Sequence, residues 1–135
     1  MDALRDFALV AAGGAAGAAG RFLVSRLSQA AFGSSFPWGT LIVNLAGCFL
    51  IGFALGLAER GFGGAALKPL AVAGFLGGLT TFSSFAYETV DLARRGAWGR
   101  AAASFAMNNL GALALATLGL AAALALGEVL AGRRA

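Results

Sequence analysis

The sequence predicts an all-α integral membrane protein with four transmembrane helices and a break in helix three, assembled as an antiparallel dual-topology homodimer. Three observations lead to this prediction. The 135 residues are 59% hydrophobic and 12% charged, whereas soluble domains carry roughly 25% charged residues. The charges divide the chain into four apolar blocks, and a helix needs about 20 residues to cross a bilayer. The basic residues are spread almost evenly over the two sides that four spans would create.

The chain is predicted to form one membrane domain, residues 1–135, with helices at about 6–29, 37–58, 69–92 and 99–127. The first block is long enough only if Arg21 lies near the interface or inside protein. Pro37 suits a first helical turn, and Trp38 and Trp98 suit interfacial anchors of the second and fourth helices. The N-terminal apolar stretch has no clear cleavage context and is therefore interpreted as the first span.

The break is predicted from "GGLTTFSSF", residues 77–85, in the middle of the third block. Glycine pairs weaken a helix. A local break frees backbone carbonyls, and such carbonyls can hold a cation at mid-membrane. The alternative is a simple kink whose gap is filled by threonine hydroxyls. The residues alone leave both interpretations open.

Dual topology is predicted from the count of basic residues. One side collects five, Arg5, Arg60, Lys68, Arg133 and Arg134, and the other collects four, Arg26, Arg94, Arg95 and Arg100, or five with Arg21. A chain without a clear bias can insert both ways, and two opposite copies can pair about a two-fold axis in the membrane plane. The alternative is that one charge, or insertion kinetics, decides a single orientation.

Polar side chains form stripes on three of the predicted helices. Thr40 and Asn44 share a face of helix two, Ser104 and Asn108 share a face of helix four, and Thr81, Ser84 and Glu88 line helix three. Each group by itself is explained by bonding to its own helix or to a neighbouring one. Three stripes at similar depth together favour a wet or ion-conducting path.

Phe82 and Phe85 form a stripe beside the polar one on helix three. A benzene ring has a positive edge, which can face a small anion without the full charge that would trap it. The alternative is that the rings only pack.

Small residues four apart recur as Gly13/Gly17, Gly52/Gly56 and Gly74/Gly78. This spacing lets helix backbones approach closely. Tight packing inside one bundle accounts for most of these glycines. So small a bundle encloses little, and a pathway would need a second copy.

Composition disfavours several classes of function. The chain has no histidine and a single cysteine, Cys48, and its apolar centres hold no carboxylate pair, so it is not expected to be an enzyme. The net charge of +4 fits membrane flanks better than a nucleic-acid surface. The main alternative is a small dual-topology multidrug or cation exporter, which needs a membrane-embedded carboxylate, whereas Glu59, Glu88 and Glu128 lie towards block ends.

Three stretches resemble the motifs of the Fluc (CrcB) fluoride channel family along essentially the whole chain. They are "GGAAGAAGRF" at 13–22, "WGTLIVNLAGCFLIG" at 38–52 and "GFLGGLTTFSSFAYET" at 74–89. The resemblance implies passive, fluoride-selective export through two pores of an antiparallel homodimer in the cell inner (plasma) membrane. The expected partners are a second copy of the chain, fluoride and the lipid bilayer, with no nucleic acid.

The resemblance also implies roles for individual residues. Phe82 and Phe85 look like the pore phenylalanines, Asn44 like the pore asparagine and Arg21 like the vestibule arginine. Ser83, Ser84 and Glu88 fall where the family has polar pore-side groups, and the fourth helix offers Ser104 and Asn108. Gly77 and Thr80 look like the residues whose carbonyls hold a structural sodium ion at the dimer interface.

Overall fold

The computed structural model describes residues 2–132, and the side chains of residues 2–130. Regular structure in that part of the chain is helical throughout, and four spans are long and apolar enough to cross a membrane: Asp2–Phe32, Trp38–Glu59, Leu67–Arg94 and Trp98–Leu130. They extend a few residues beyond the predicted ranges at nearly every end. Arg133 and Arg134, which entered the count of basic residues, lie outside the described residues.

The first two spans are the continuous helices α1 (Asp2–Phe32) and α2 (Trp38–Glu59). The third span consists of two helices, α3 (67–79) and α4 (Phe82–Arg94), and the fourth is α5 (98–132). Two segments are wound as wider π-helix, Leu67–Leu76 in α3 and Met107–Gly111 in α5. Since π-helical turns inside α-helices are frequent at functional sites, both segments are candidate parts of a functional site.

The third span is interrupted at the two threonines, as the sequence predicts. Thr80 has φ −81° and ψ 156°, and Thr81 has φ −154° and ψ 115°, so both are extended. The glycines before them remain helical, and Gly78 lies so close to α1 that an added Cβ would come 2.6 Å from the Gly14 carbonyl oxygen. The glycines thus serve helix contact, while the threonines change the chain direction.

The small-residue motifs bring neighbouring helices of one chain together. Gly13 and Gly17 of α1 face the backbone of α3, and Gly74 and Gly78 face α1 in return. Gly52 and Gly56 of α2 face the C-terminal half of α5. The interpretation of these motifs as packing inside the bundle is therefore confirmed, and the remaining helix, α4, packs on the N-terminal part of α5.

The interior of the bundle contains several polar side chains, while many large apolar side chains point outwards. The buried polar residues are Ser28, Thr40, Asn44, Thr81, Ser104 and Asn108. Phe7, Phe22 and Phe82 are each about 70% exposed or more, as expected for surfaces that meet lipid or another chain. The predicted polar stripes of the second, third and fourth spans therefore meet inside the bundle.

Candidate functional site

A groove of about 280 Å³ lies where α2, α3, α4 and α5 meet at the interruption of the third span. Most of the residues that the sequence singles out line it: Asn44, Gly77, Thr80, Phe82, Phe85 and Asn108. The described lining includes no Asp, Glu, Lys or Arg. The groove therefore offers dipoles and ring edges rather than full charges.

Asn44 holds the interruption by hydrogen bonds in both directions. Its Oδ1 accepts from the Thr81 backbone N–H at 2.8 Å, and its Nδ2 donates to the Thr81 carbonyl at 3.1 Å. The same Nδ2 donates to Oδ1 of Asn108 at 2.9 Å. The side-chain amide thus pairs with Thr81 much as a neighbouring strand would pair with an extended residue.

Thr81 also starts α4. Its side-chain oxygen accepts from the Ser84 backbone N–H at 3.2 Å, which is the usual bond of an N-terminal threonine cap. The Thr81 hydroxyl donates to the Ser84 Oγ at 3.1 Å and lies 3.3 Å from the Ser83 Oγ. Three hydroxyl groups are therefore gathered at the first turn of α4.

The interruption takes helical donors from the backbone carbonyls of the preceding turn, and Gly77 and Thr80 are two of these residues. In a continuous helix, Gly77 C=O would accept from the N–H of Thr81, and Thr80 C=O from the N–H of Ser84. Those two N–H groups instead donate to the Asn44 side chain and to Thr81 Oγ1. Both Gly77 and Thr80 line the groove, so their carbonyls are candidate ligands there for a cation or water.

The two predicted pore phenylalanines meet edge to face. The ring centroids of Phe82 and Phe85 are 5.3 Å apart with an interplanar angle of 69°, and Phe85 also contacts Phe105 at 6.4 Å. Phe85 is 5% exposed, whereas Phe82 is 75% exposed. One ring therefore belongs to the interior of this chain, and the other is presented to whatever covers the groove.

Asn108 and Asn109 lie in the π-helical segment of α5. Their Nδ2 groups donate to the carbonyls of Ser104 at 3.1 Å and Phe105 at 2.7 Å, four residues back. These side-chain bonds add donors to carbonyls of the preceding turn, and a side chain that inserts into the backbone ladder is consistent with the local widening of the helix. Neighbouring Ser104 is fully buried and bonds to Thr89 at 2.9 Å.

Four predicted site residues lie beside the groove rather than in its described lining. Ser83 is exposed and Ser84 is half-buried at the start of α4. Glu88 lines a separate small cavity of about 50 Å³, where it faces Thr40, and its Oε2 is a buried atom without a partner among the described residues. Arg21 follows Gly20, which packs on the Leu79 side chain, so it lies at the depth where α3 ends.

The role of Thr81 was only partly visible in the sequence, where it appears as one member of a polar stripe. Its N–H, C=O and hydroxyl all bond at the interruption. A threonine directly before a helix is a preferred N-cap, which is the local signal of this helix start. The partner, Asn44, is 37 residues away, and no local pattern links the two.

A family model described as "CrcB-like protein, Camphor Resistance (CrcB)" matches residues 8–120. Among similar proteins, one from Aeromonas salmonicida is 44% identical over 118 residues, which cover 87% of this chain and 94% of that protein. One from Bordetella petrii is 48% identical over 122 residues, covering 90% and 93%. One from Opitutus terrae is 48% identical over 95 residues, covering 68% and 72%. All three are named "Fluoride-specific ion channel FluC".

These findings agree with the fold and the class predicted from the sequence. The relatives are named as ion channels and not as enzymes, and the four apolar helices make this chain a multi-pass membrane protein, in a bacterial cell one of the inner membrane. The match extends through all four spans, because residues 8–120 run from the first turns of α1 well into α5. The chain belongs to the CrcB family.

Proposed function

We propose that the chain is a passive, fluoride-selective ion channel that exports cytoplasmic fluoride through two pores of an antiparallel homodimer. The observation that carries the proposal is the edge-to-face pair Phe82 and Phe85 beside a groove whose described lining has no full charge. The names of relatives that are 44% and 48% identical over most of the chain support fluoride as the ion.

The chemistry of the groove suits a small anion that has to move on quickly. Fluoride is strongly hydrated, so a narrow path must replace much of its water. Phenylalanine edges supply weak positive potential, and each charge-assisted hydrogen bond from a hydroxyl supplies on the order of 1–3 kcal/mol. Ser84 Oγ accepts from Thr81, which leaves its own proton available, and Ser83 is exposed next to it. We assign both serines to the fluoride path with the two phenylalanines, and Asn44 and Asn108 to its wall.

A second copy of the chain is the proposed cover of the groove. The ring of Phe82 is 75% exposed beside polar groups that are buried in one chain, and lipid is a poor cover for the amide and hydroxyl groups that line part of the groove. Because the basic residues show little bias between the two sides, the second copy is expected to be inverted. Two-fold symmetry then gives two equivalent pores.

The freed carbonyls fit a structural sodium ion at the dimer interface. Sodium, as a hard cation, prefers oxygen ligands. Gly77 and Thr80 both line the groove and both lose their helical donors. Two carbonyls from each of two copies would give four oxygens about the two-fold axis. The bound ion would supply positive charge that ties the two interruptions together.

Arg21 and Glu88 are proposed to act at the approach to the path. An arginine at the depth where α3 ends would attract anions from water without standing in the groove itself. Glu88 faces Thr40 in a cavity next to the groove. There the carboxylate would orient the Thr40 hydroxyl beside the path.

A dual-topology exporter of drugs or other cations is the second candidate, and the composition of the groove argues against it. Proton-coupled carriers of this size need a carboxylate that substrate and protons share. The described lining of the groove includes no acidic residue, and Glu88 lines a different cavity.

Growth under fluoride stress tests the proposed function. A bacterial strain without its own fluoride exporter, producing this chain, is expected to grow in millimolar fluoride that stops the same strain carrying an empty vector. Resistance to lipophilic drug cations should not change. Absence of fluoride rescue by a chain that is present in the membrane would contradict the proposal, and rescue from drug cations would favour the exporter.

A further inference from the structure

We infer that Asn44 is a positioning residue for the cation site: its side chain takes the Thr81 N–H away from the Gly77 carbonyl and so keeps that oxygen free. The inference rests on the proposed function, because it concerns the sodium site proposed there. It assigns to Asn44 a role different from that of a hydrogen-bond donor to fluoride.

Two acceptors compete for the backbone N–H of Thr81. Thr81 N–H has two possible acceptors, the Gly77 carbonyl if the helix continues and Asn44 Oδ1 if it breaks. It donates to Asn44 at 2.8 Å, while Thr80, one residue earlier, still keeps its helical bond to the Leu76 carbonyl at 3.0 Å. The helix therefore loses its regular bonding at the residue that Asn44 binds.

The orientation of the Asn44 amide is fixed by its three partners. A backbone N–H can only donate, so the Asn44 atom facing Thr81 N–H has to be the oxygen. The nitrogen then faces two oxygens, the Thr81 carbonyl at 3.1 Å and Asn108 Oδ1 at 2.9 Å. Asn108 is itself oriented by donation to the Ser104 carbonyl at 3.1 Å. This series of hydrogen bonds, from Ser104 through Asn108 to Asn44, thus holds the Thr81 backbone in its extended conformation.

The donor capacity of Asn44 is consumed by these contacts. A carboxamide has two N–H protons, and both are directed at oxygens of this chain. Asn44 is 9% exposed, and unpairing a buried polar group costs about 1–3 kcal/mol. A fluoride ion could accept a hydrogen bond from Asn44 only if one of these two bonds broke. The hydroxyl groups of Ser83 and Ser84 still have protons to donate.

Sodium dependence of the purified protein distinguishes positioning from anion binding. The measurement is the melting temperature in detergent as sodium chloride replaces N-methylglucamine chloride, for wild type, Asn44→Ala, Asn44→Leu and Asn109→Ala. Leucine is close to asparagine in size but has no acceptor for the Thr81 N–H. Both Asn44 variants are expected to need about 10–100-fold more sodium for half of the full stabilisation, as for loss of a group that orients metal ligands. Asn109→Ala is the matched control: Asn109 also lines the groove, but its described hydrogen bond goes to the Phe105 carbonyl of its own helix and not to Thr81, so this variant should stay within about twofold of wild type.

Fluoride efflux from liposomes at several sodium concentrations completes the test. Efflux through Asn44→Ala should recover as sodium rises, because binding to the competent state restores it by mass action. If that variant does not fold, Asn108→Ala removes only the group that orients Asn44 and should show a smaller shift in the same direction. An Asn44 variant with the wild-type sodium curve, or with low efflux at every sodium concentration, would overturn the inference. If the melting temperature of the wild-type protein did not change with sodium concentration, both the inference and the proposed cation site would be overturned. Fluoride efflux through the wild-type protein would still support the channel in that case.

Discussion

Replacing Phe82 or Phe85 by isoleucine is expected to reduce fluoride efflux by up to about tenfold while the dimer persists. Isoleucine keeps an apolar side chain but has no ring edge. An interaction of an aromatic edge is worth about 0.5–1.5 kcal/mol, and 1.36 kcal/mol is a factor of ten in rate. The double variant should lower efflux further, because the two rings touch at 5.3 Å and would act on the same ion.

Phe49→Ile is the matched control for these variants. Phe49 lies on α2, stacks on Phe53 at 6.2 Å and does not belong to the described lining of the groove. The same change of side chain should therefore alter efflux little. Size-exclusion chromatography checks that each variant stays dimeric. Normal efflux through both pore variants would mean that the rings only pack and that the anion path lies elsewhere.

Fixing the orientation of the chain is expected to abolish activity, because a pore would then lack its inverted copy. Ala3→Lys with Ala65→Lys would add two charges to one side. Ala30→Lys with Ala31→Lys and Gly99→Lys would add three to the other. All five positions are exposed, and juxtamembrane lysines bias insertion towards the cytoplasmic side. Each variant alone should confer little fluoride resistance, and co-expression of the two should restore it.

The location of a C-terminal tag provides the independent readout of orientation. In the wild-type chain the tag should be reachable from both sides of the membrane, and in each charge variant from one side only. Full resistance from a variant with a single orientation would contradict the inverted dimer. Labelling of the wild-type tag from one side only would contradict dual topology.

The helices and their contacts within the chain could be predicted because they depend on local composition and spacing. Four apolar blocks give four spans, and Gly13/Gly17 and Gly74/Gly78 meet across α1 and α3 as their spacing indicates. The ends of the helices were less predictable. Helix α1 runs from Asp2 to Phe32, since alanine and leucine continue past the charges that delimit the apolar block.

The position of the interruption in the third span could be predicted from the sequence, but its cause could not. Its position after "GG" follows from the weak helix propensity of glycine, yet the glycines remain helical and the extended residues are Thr80 and Thr81. We infer that the cause lies in the hydrogen bonds between Asn44 and Thr81, which are 37 residues apart in sequence. A long-range hydrogen bond leaves no periodic signal in one sequence.

The candidate site was predictable as a set of polar stripes but not as a geometry. Thr40, Asn44, Ser104 and Asn108 are buried as expected for inward-facing stripes. Glu88, which shares a stripe with Thr81 and Ser84, lines a second cavity with Thr40. Residues three and four apart share a helix face, but the cavity that they line depends on the helices packed opposite, which the spacing does not encode.

The central claim is that this chain conducts fluoride, and efflux from liposomes tests it most directly. Purified wild-type protein is reconstituted into vesicles loaded with potassium fluoride, valinomycin carries the compensating potassium, and a fluoride electrode records the ion outside. Rapid fluoride efflux is predicted, with chloride efflux from matched vesicles no faster than from protein-free ones. Fluoride efflux equal to that of protein-free vesicles, or equal efflux of chloride and fluoride, would contradict a fluoride-selective channel.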